Sequence, residues 1–301
     1  MNIVVDNICD LDCRFLGTLK KFIVFLIISS LFTSVMGFFQ TLAAYILLGI
    51  SPKIQVCFAV LLVTYGTYSL NKLTDMNEDA INIPERLSYV EGRRFFILIF
   101  ALIAYLASIT LMVLDRPVSV PIMLIPLVTG TLYSAKFLPG IPRLKEIPLI
   151  KNLVVSTSWA LVVTFLPVLY MSEFSMMESN DTKTIIAFVF YFMLVKDFIN
   201  TVLYDIRDVE GDRETGIQTI PLLLGPRKTT ALLLALNTTL LPWLVLANPG
   251  ARPLATALVL YGYAYILYFR KIRGPLALDF FVDGEYMIAV VLFLVKDALL
   301  A

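Results

Sequence analysis

The chain has no histidine among its 301 residues and only three cysteines, Cys9, Cys13 and Cys57. The side chain that ordinarily titrates near neutral pH is missing, so proton transfer must use Asp, Glu, Lys, Tyr or water. An odd cysteine set without histidine is a poor zinc site, since Cys9 and Cys13 would need carboxylates to complete it. Charge is scarce: 16% of residues, against about 25% in soluble domains. Strand-period alternation is absent from the apolar stretches, which disfavours a β-barrel. There is no soluble domain, low-complexity segment or extended linker, and no nucleic-acid partner is expected. The first 21 residues carry Asp6, Asp10 and Asp12 and run straight into a full-length apolar stretch, so they do not read as a signal peptide.

What the chain has is apolar length: 59% of it is hydrophobic. Stretches near 20 residues, each able to cross a bilayer as a helix, recur from end to end. They fall at about 22–45, 54–74, 95–114, 118–136, 152–171, 184–205, 228–247, 253–270 and 280–300. The expected fold class is all-α, a polytopic membrane bundle of about nine transmembrane helices forming one domain over 1–301, embedded in the lipid bilayer. The long first stretch is expected to bend near Gly37 or to run along the interface. Basic residues alternate between loops. The N-terminal segment and the loops after spans 2, 4, 6 and 8 hold most of them, whereas the other loops hold one each: Lys53, Arg116, Lys183 and Arg252. Short basic loops mark the cytoplasmic side, which puts the N-terminus in the cytoplasm and the C-terminus outside.

Two acidic clusters close spans on that cytoplasmic side. The first, within "SLNKLTDMNEDAINIPER", places Asn71, Asp75 and Asp79 four and four apart. On a helix these lie within about 80° of one another. The second, "YDIRDVEGDRETGIQTIP", places Asp205, Asp208 and Asp212 three and four apart, again one face if the helix continues. Facing each other in a low-dielectric mouth, such groups repel: two unit charges 4 Å apart at an effective dielectric near 20 cost roughly 4 kcal/mol. Cations must neutralise them. Carboxylates and an amide oxygen are hard ligands suited to Mg²⁺, which binds one or two carboxylates together with substrate phosphates. The economical reading is two acidic arms clamping a diphosphate through Mg²⁺.

These residues resemble the UbiA superfamily of intramembrane prenyltransferases. The family's N-x-x-x-D-x-x-x-D motif matches Asn71, Asp75 and Asp79, and its D-x-x-D-x-x-x-D motif matches Asp205, Asp208 and Asp212. "GIQTIPLLLG" is similar to the G-x-x-T-x-P continuation at Gly216, Thr219 and Pro221. Asn82, Pro84 and Arg86 match an N-x-P-x-R-P sequence found in some members, with Leu87 in place of the last proline. The resemblance implies nine helices around a central cavity open to the cytoplasmic side, two Mg²⁺ ions and a prenyl diphosphate. It further implies Mg²⁺-dependent transfer of the prenyl group, by ionisation to an allylic cation, to a lipophilic acceptor. An aromatic quinone precursor is the first expectation for that acceptor and a glycerol-phosphate lipid of the geranylgeranylglyceryl phosphate type the alternative. A dry, aromatic-lined cavity suits such a cation. The "YSAK" stretch is similar to a Tyr and Lys of the family. Lys136 is therefore expected to hold diphosphate and Tyr133 to lie by the reacting carbon, with Asp208 among the catalytic groups. Arg86, Arg143 and Lys145 are further candidates for binding the substrate.

Charges inside spans usually mark an internal pair or a cavity. Lys196 and Asp197, in "VKDF", are read either as support beneath the metal site or as an interhelical ion pair. A cation-coupled transporter is the rival from outside enzymes. It would place its acids near the bilayer midplane rather than crowd them at span ends.

Overall fold

The computed structural model of the chain describes residues 21–134, 143–171, 180–270 and 275–300. Among these there is helix and no strand. Helix α1 covers 21–28. It is followed by α2 (Leu31–Leu48), α3 (Ile54–Thr74), α4 (Met76–Asn82), α5 (Pro84–Glu91), α6 (Arg94–Asp115), α7 (Val120–Ser134) and α8 (Ile150–Val168). Then come α9 (Asn180–Arg207), α10 (Val209–Glu214), α11 (Ile220–Thr238), α12 (Trp243–Leu246), α13 (Arg252–Tyr268), α14 (Pro275–Asp283) and α15 (Glu285–Leu300). The expected all-α class is borne out. Every stretch expected to cross contains helix, and among the described residues six segments pass both length and apolarity: α2, α3, α6, α8, α9 and the segment Ile220–Val245. Helix α7 is shorter, and the last expected span is broken in two at Gly284.

The breaks have local causes. The first stretch turns at Ser30, in left-handed backbone at φ 70°, and not at Gly37 as expected. Gly37 instead sits against α3, where a Cβ would lie 2.4 Å from Thr64 Oγ1. Small residues let membrane helices approach this closely. Helix α7 carries Pro126 in its interior, which removes a backbone donor. The Tyr105 hydroxyl of α6 bridges the adjacent pair in that turn, donating to the Met123 carbonyl at 2.7 Å and accepting from Leu127 N at 3.2 Å.

The core runs through α2, α3, α8, α9, α13 and α15, with Tyr45, Val60, Leu166, Phe192, Leu258 and Val290 buried. Outward faces are apolar as well: Phe95, Phe100, Ile103 and Leu106 of α6 are exposed, as expected of a surface solvated by lipid. One ion pair crosses the core. Lys196 Nζ lies 2.6 Å from Glu285, and neither side chain has any exposure. Lys196 also donates to the Leu258 carbonyl at 3.1 Å and the Tyr265 hydroxyl at 2.7 Å, while Asn200 donates to Glu285 at 3.1 Å. Of the two readings offered for "VKDF", Lys196 takes the interhelical ion pair, binding α9 to α13 and α15. Asp197 is no part of it and faces a cavity.

Candidate active site

Both acidic clusters break their helices at the middle carboxylate. Helix α3 stops at Thr74, and Asp75 takes φ −103°, ψ 21° before α4 begins. Helix α9 stops at Arg207, and Asp208 takes φ −90°, ψ 9° before α10. This is the sparsely allowed bridge region, common among active-site residues. The i to i−4 hydrogen bonds carry through each break: Asp75 N to Asn71 O and Asp79 N to Asp75 O in one arm, Asp208 N to Tyr204 O and Asp212 N to Asp208 O in the other, all at 2.9–3.0 Å. The acids therefore keep helical register while the chain swings over the cavity mouth. The arms touch where Gly211 N donates to Asn82 Oδ1 at 3.2 Å. A Cβ on Gly211 would lie 2.4 Å from that oxygen, so only glycine permits the approach.

All six motif residues line one cavity of about 320 Å³. Tyr133, Arg86 and Lys145 line it too. Arg143 does not: its guanidinium and backbone N–H bind the Glu146 carboxylate at 2.7 and 2.9 Å. Lys136 lies outside the described residues. The carboxylates are paired with the chain's own bases. Asp75 meets Lys145 at 2.9 Å, and Asp79 meets Arg86 at 3.0 Å. Lys151 reaches Asp205 at 2.7 Å and Asp212 at 3.6 Å, and Asn152 donates to Asp205 at 2.8 Å. Arg207 forks onto Asp208 at 2.6 and 2.8 Å. Burial pushes the Asp79 carboxyl up, with Arg86 opposing. Burial likewise pushes Asp212 up to about 7, against Lys151 and with Asp205 and Asp208 adding to the rise.

A third acidic arm was not singled out from the sequence. Asp279 and Asp283 on α14, four residues apart, line the same cavity. Asp279 holds both arginines of the other arms, Arg207 at 2.7 Å and Arg86 at 3.7 Å. Asp283 accepts from Thr33 at 2.9 Å and from the Tyr204 hydroxyl. Asp283 inside an expected span was the available signal. Lys151 and Arg207 were read only as loop charges.

Among the described residues the donors facing the cavity mouth are hard oxygens, with no thiol or imidazole, and the buried Asp212 Oδ2 has only Lys151, 3.6 Å away. That chemistry fits Mg²⁺. Among the described residues no three carboxylates close on one point, which agrees with an ion that takes one or two carboxylates and completes its shell from substrate and water.

The family model for the UbiA prenyltransferase family matches residues 30–277. This chain belongs to that family. Two curated relatives carry the name digeranylgeranylglyceryl phosphate synthase. That of Sulfolobus acidocaldarius is 29% identical over 170 residues, 56% of each chain, and that of Methanobrevibacter smithii is 27% identical over 191 residues, 62% of each. The alignments thus span about six tenths of the relatives' length. Among solved structures, a UbiA homologue from Archaeoglobus fulgidus bound to GPP and Mg²⁺ superposes with a TM-score of 0.61 at 17% identity, covering 89% of this chain and 96% of that one. A structure of digeranylgeranylglyceryl phosphate synthase gives 0.52 at 16% identity, over 92% of this chain and 96% of that one. These likenesses establish the UbiA fold.

Proposed function

We propose that the chain is a Mg²⁺-dependent prenyltransferase that moves a prenyl group from its diphosphate to a glycerol-phosphate lipid. One observation carries the reading: among the described residues, eight carboxylates and five basic side chains line the cavity. A site with that excess of negative charge repels a diphosphate unless divalent cations come with it. Asn71, Asp75 and Asp79 from one arm and Asp205, Asp208 and Asp212 from the other would hold the ions. When bound, Mg²⁺ stabilises the charge that develops on the diphosphate as the C–O bond breaks. Arg86, Lys145, Lys151 and Arg207 are drawn from their carboxylates toward the diphosphate oxygens, with Lys136 and Arg143 as further candidates from the sequence. Tyr133, at the end of α7, offers its ring face to the allylic cation. The walls below the mouth exclude water, with Met36, Tyr68, Pro126 and Trp159 facing in.

Of the two acceptor classes left open by the sequence, both partly matched relatives bear the name of the second, and the reading follows it over the aromatic quinone precursor. We orient the cavity mouth toward the cytoplasm on the loop charges. The test is to incubate purified protein with geranylgeranyl and shorter prenyl diphosphates and a panel of glycerol-phosphate and quinone-precursor acceptors, reading products by mass. Transfer should need Mg²⁺ and vanish in Asp75→Ala and Asp208→Ala. Product formed equally in chelator, or by both variants, overturns the reading.

A further inference from the structure

The mechanism above uses the cavity mouth and leaves its depth unexplained. Along α9 and the residue that follows it, Asp197, Asn200, Thr201, Tyr204, Asp205 and Asp208 succeed one another at steps of three, one, three, one and three, and all line the cavity. They form one polar helical face running inward from the second acidic arm. Its inner end is Asp197, eight residues from Asp205 and so about 12 Å deeper along the helix. Another part of the wall is different: Tyr68 and Trp159 stack there with centroids 5.7 Å apart. A prenyl chain gains nothing from lying against carboxylates, so the two walls call for two kinds of ligand.

Asp197 is not absorbed by the surrounding packing. Its Oδ1 accepts from Gln40 of α2 at 2.7 Å, which fixes the side chain. Its Oδ2 is buried and has no hydrogen-bond partner. The neighbouring base, Lys196, is committed to Glu285. Buried carboxylate oxygens are normally satisfied, and one left open on a cavity wall asks for a donor from a ligand. That donor is not an ionised phosphate oxygen, which can only accept. A neutral O–H fits.

Building on the prenyltransferase reading, the geometry points to a subsite at Asp197 and Gln40 that binds the acceptor through its nucleophilic hydroxyl. The acceptor oxygen donates to Asp197 Oδ2 and is thereby aimed up the polar face toward the allylic carbon. During transfer the bond from that carbon to the diphosphate breaks, its electron pair leaving on the diphosphate. The acceptor oxygen forms the new C–O bond, and its proton passes to Asp197. Nothing else is consumed.

Acceptor binding can be read without metal or donor, because Trp159 lies on the cavity wall and the other tryptophan, Trp243, stacks on Phe188 away from it. In a Trp243→Phe background, a long-chain alkylglycerol phosphate with a free hydroxyl is titrated against the same compound O-methylated. The wild-type site should bind the methyl ether at least about tenfold more weakly, the factor expected for a hydrogen bond to a charged group. Asp197→Asn should lose that discrimination, and its transfer should fall about a hundredfold or more while Mg²⁺-dependent donor binding stays unchanged. Should Asp197→Asn not fold, Gln40→Leu releases the carboxylate instead and should weaken discrimination. The methyl-ether comparison with Asp197 intact needs no change in the cavity. Equal binding of both compounds by wild type, or unaltered discrimination in Asp197→Asn, overturns the subsite. Failure of wild type to bind prenyl diphosphate with Mg²⁺ overturns the prenyltransferase reading separately.

Discussion

At the scale of single residues the site is a set of carboxylates holding bases in reserve. Asp279 is the clearest case, since it contacts both Arg86 and Arg207 while those bind Asp79 and Asp208. Removing its charge leaves two arginines without their shared anchor. In Asp279→Asn, KM for the prenyl diphosphate should rise about tenfold, the effect of one displaced charge-assisted contact, with a smaller change in kcat. Unchanged KM would mean that α14 has no part in donor binding. Asp212 supports a prediction of another kind. Its folded-state pKa of about 7 exceeds the ordinary value of 3.8, so the folded chain holds the proton longer than the unfolded one. The stability tied to that proton is fully present below about pH 4 and is lost as pH rises through 7. In chelator, Asp212→Asn should therefore gain in thermal midpoint relative to wild type between pH 5 and pH 8. A constant difference across that range would refute the assignment. Much of this set was legible in advance: the spacing of acids, with Tyr133, Arg86 and Lys145, named nine residues that share the cavity. Lys151, Arg207 and Asp279 were missed because an ion pair depends on which helix ends meet, and spacing along one helix carries no such information. Arg143 stands off the cavity for a reason equally hidden from spacing: Glu146, one turn away, holds it.

At the scale of elements, the feature that sequence periodicity could not supply is the break inside each acidic motif. Spacings of three and four fit an unbroken helix and a helix bent at one residue equally well, because the i to i−4 bonds persist across Asp75 and Asp208. What distinguishes them is the meeting of α4 with α10, and that meeting depends on Gly211. Alanine there would bring a Cβ to 2.4 Å from Asn82 Oδ1, forcing the arms apart. Gly211→Ala should lower transfer at least tenfold, since displacements near 1 Å at a reacting centre cost that much or more. Gly92 ends α5 in helical backbone, at φ −81°, and a Cβ there would meet no atom within 4 Å. Gly92→Ala is the control and should leave transfer within about twofold, as surface substitutions usually do. Equal activity of the two variants would show that contact between the arms is dispensable.

At the scale of the whole molecule, the bundle must hold an acid-rich cavity open inside a fold whose core is otherwise apolar. Lys196 and Glu285 tie α9 to α15 within that core, with Tyr265 of α13 4.7 Å from the ammonium and hydrogen-bonded to it. A buried pair adds little when compared with well-packed apolar residues, but breaking it leaves an uncompensated charge at a cost of about 3–5 kcal/mol. Lys196→Met alone and Glu285→Leu alone should each lower the thermal midpoint in detergent sharply. The double variant should recover most of the loss, because neither charge remains unpaired. The coupling energy from that cycle should be at least about 4 kcal/mol, because two losses of that size are largely recovered together. Additive losses in the double variant would mean that the pair is solvated by other groups, and the clamp between α9 and α15 would then have to be sought in the apolar contacts around Phe192 and Val290.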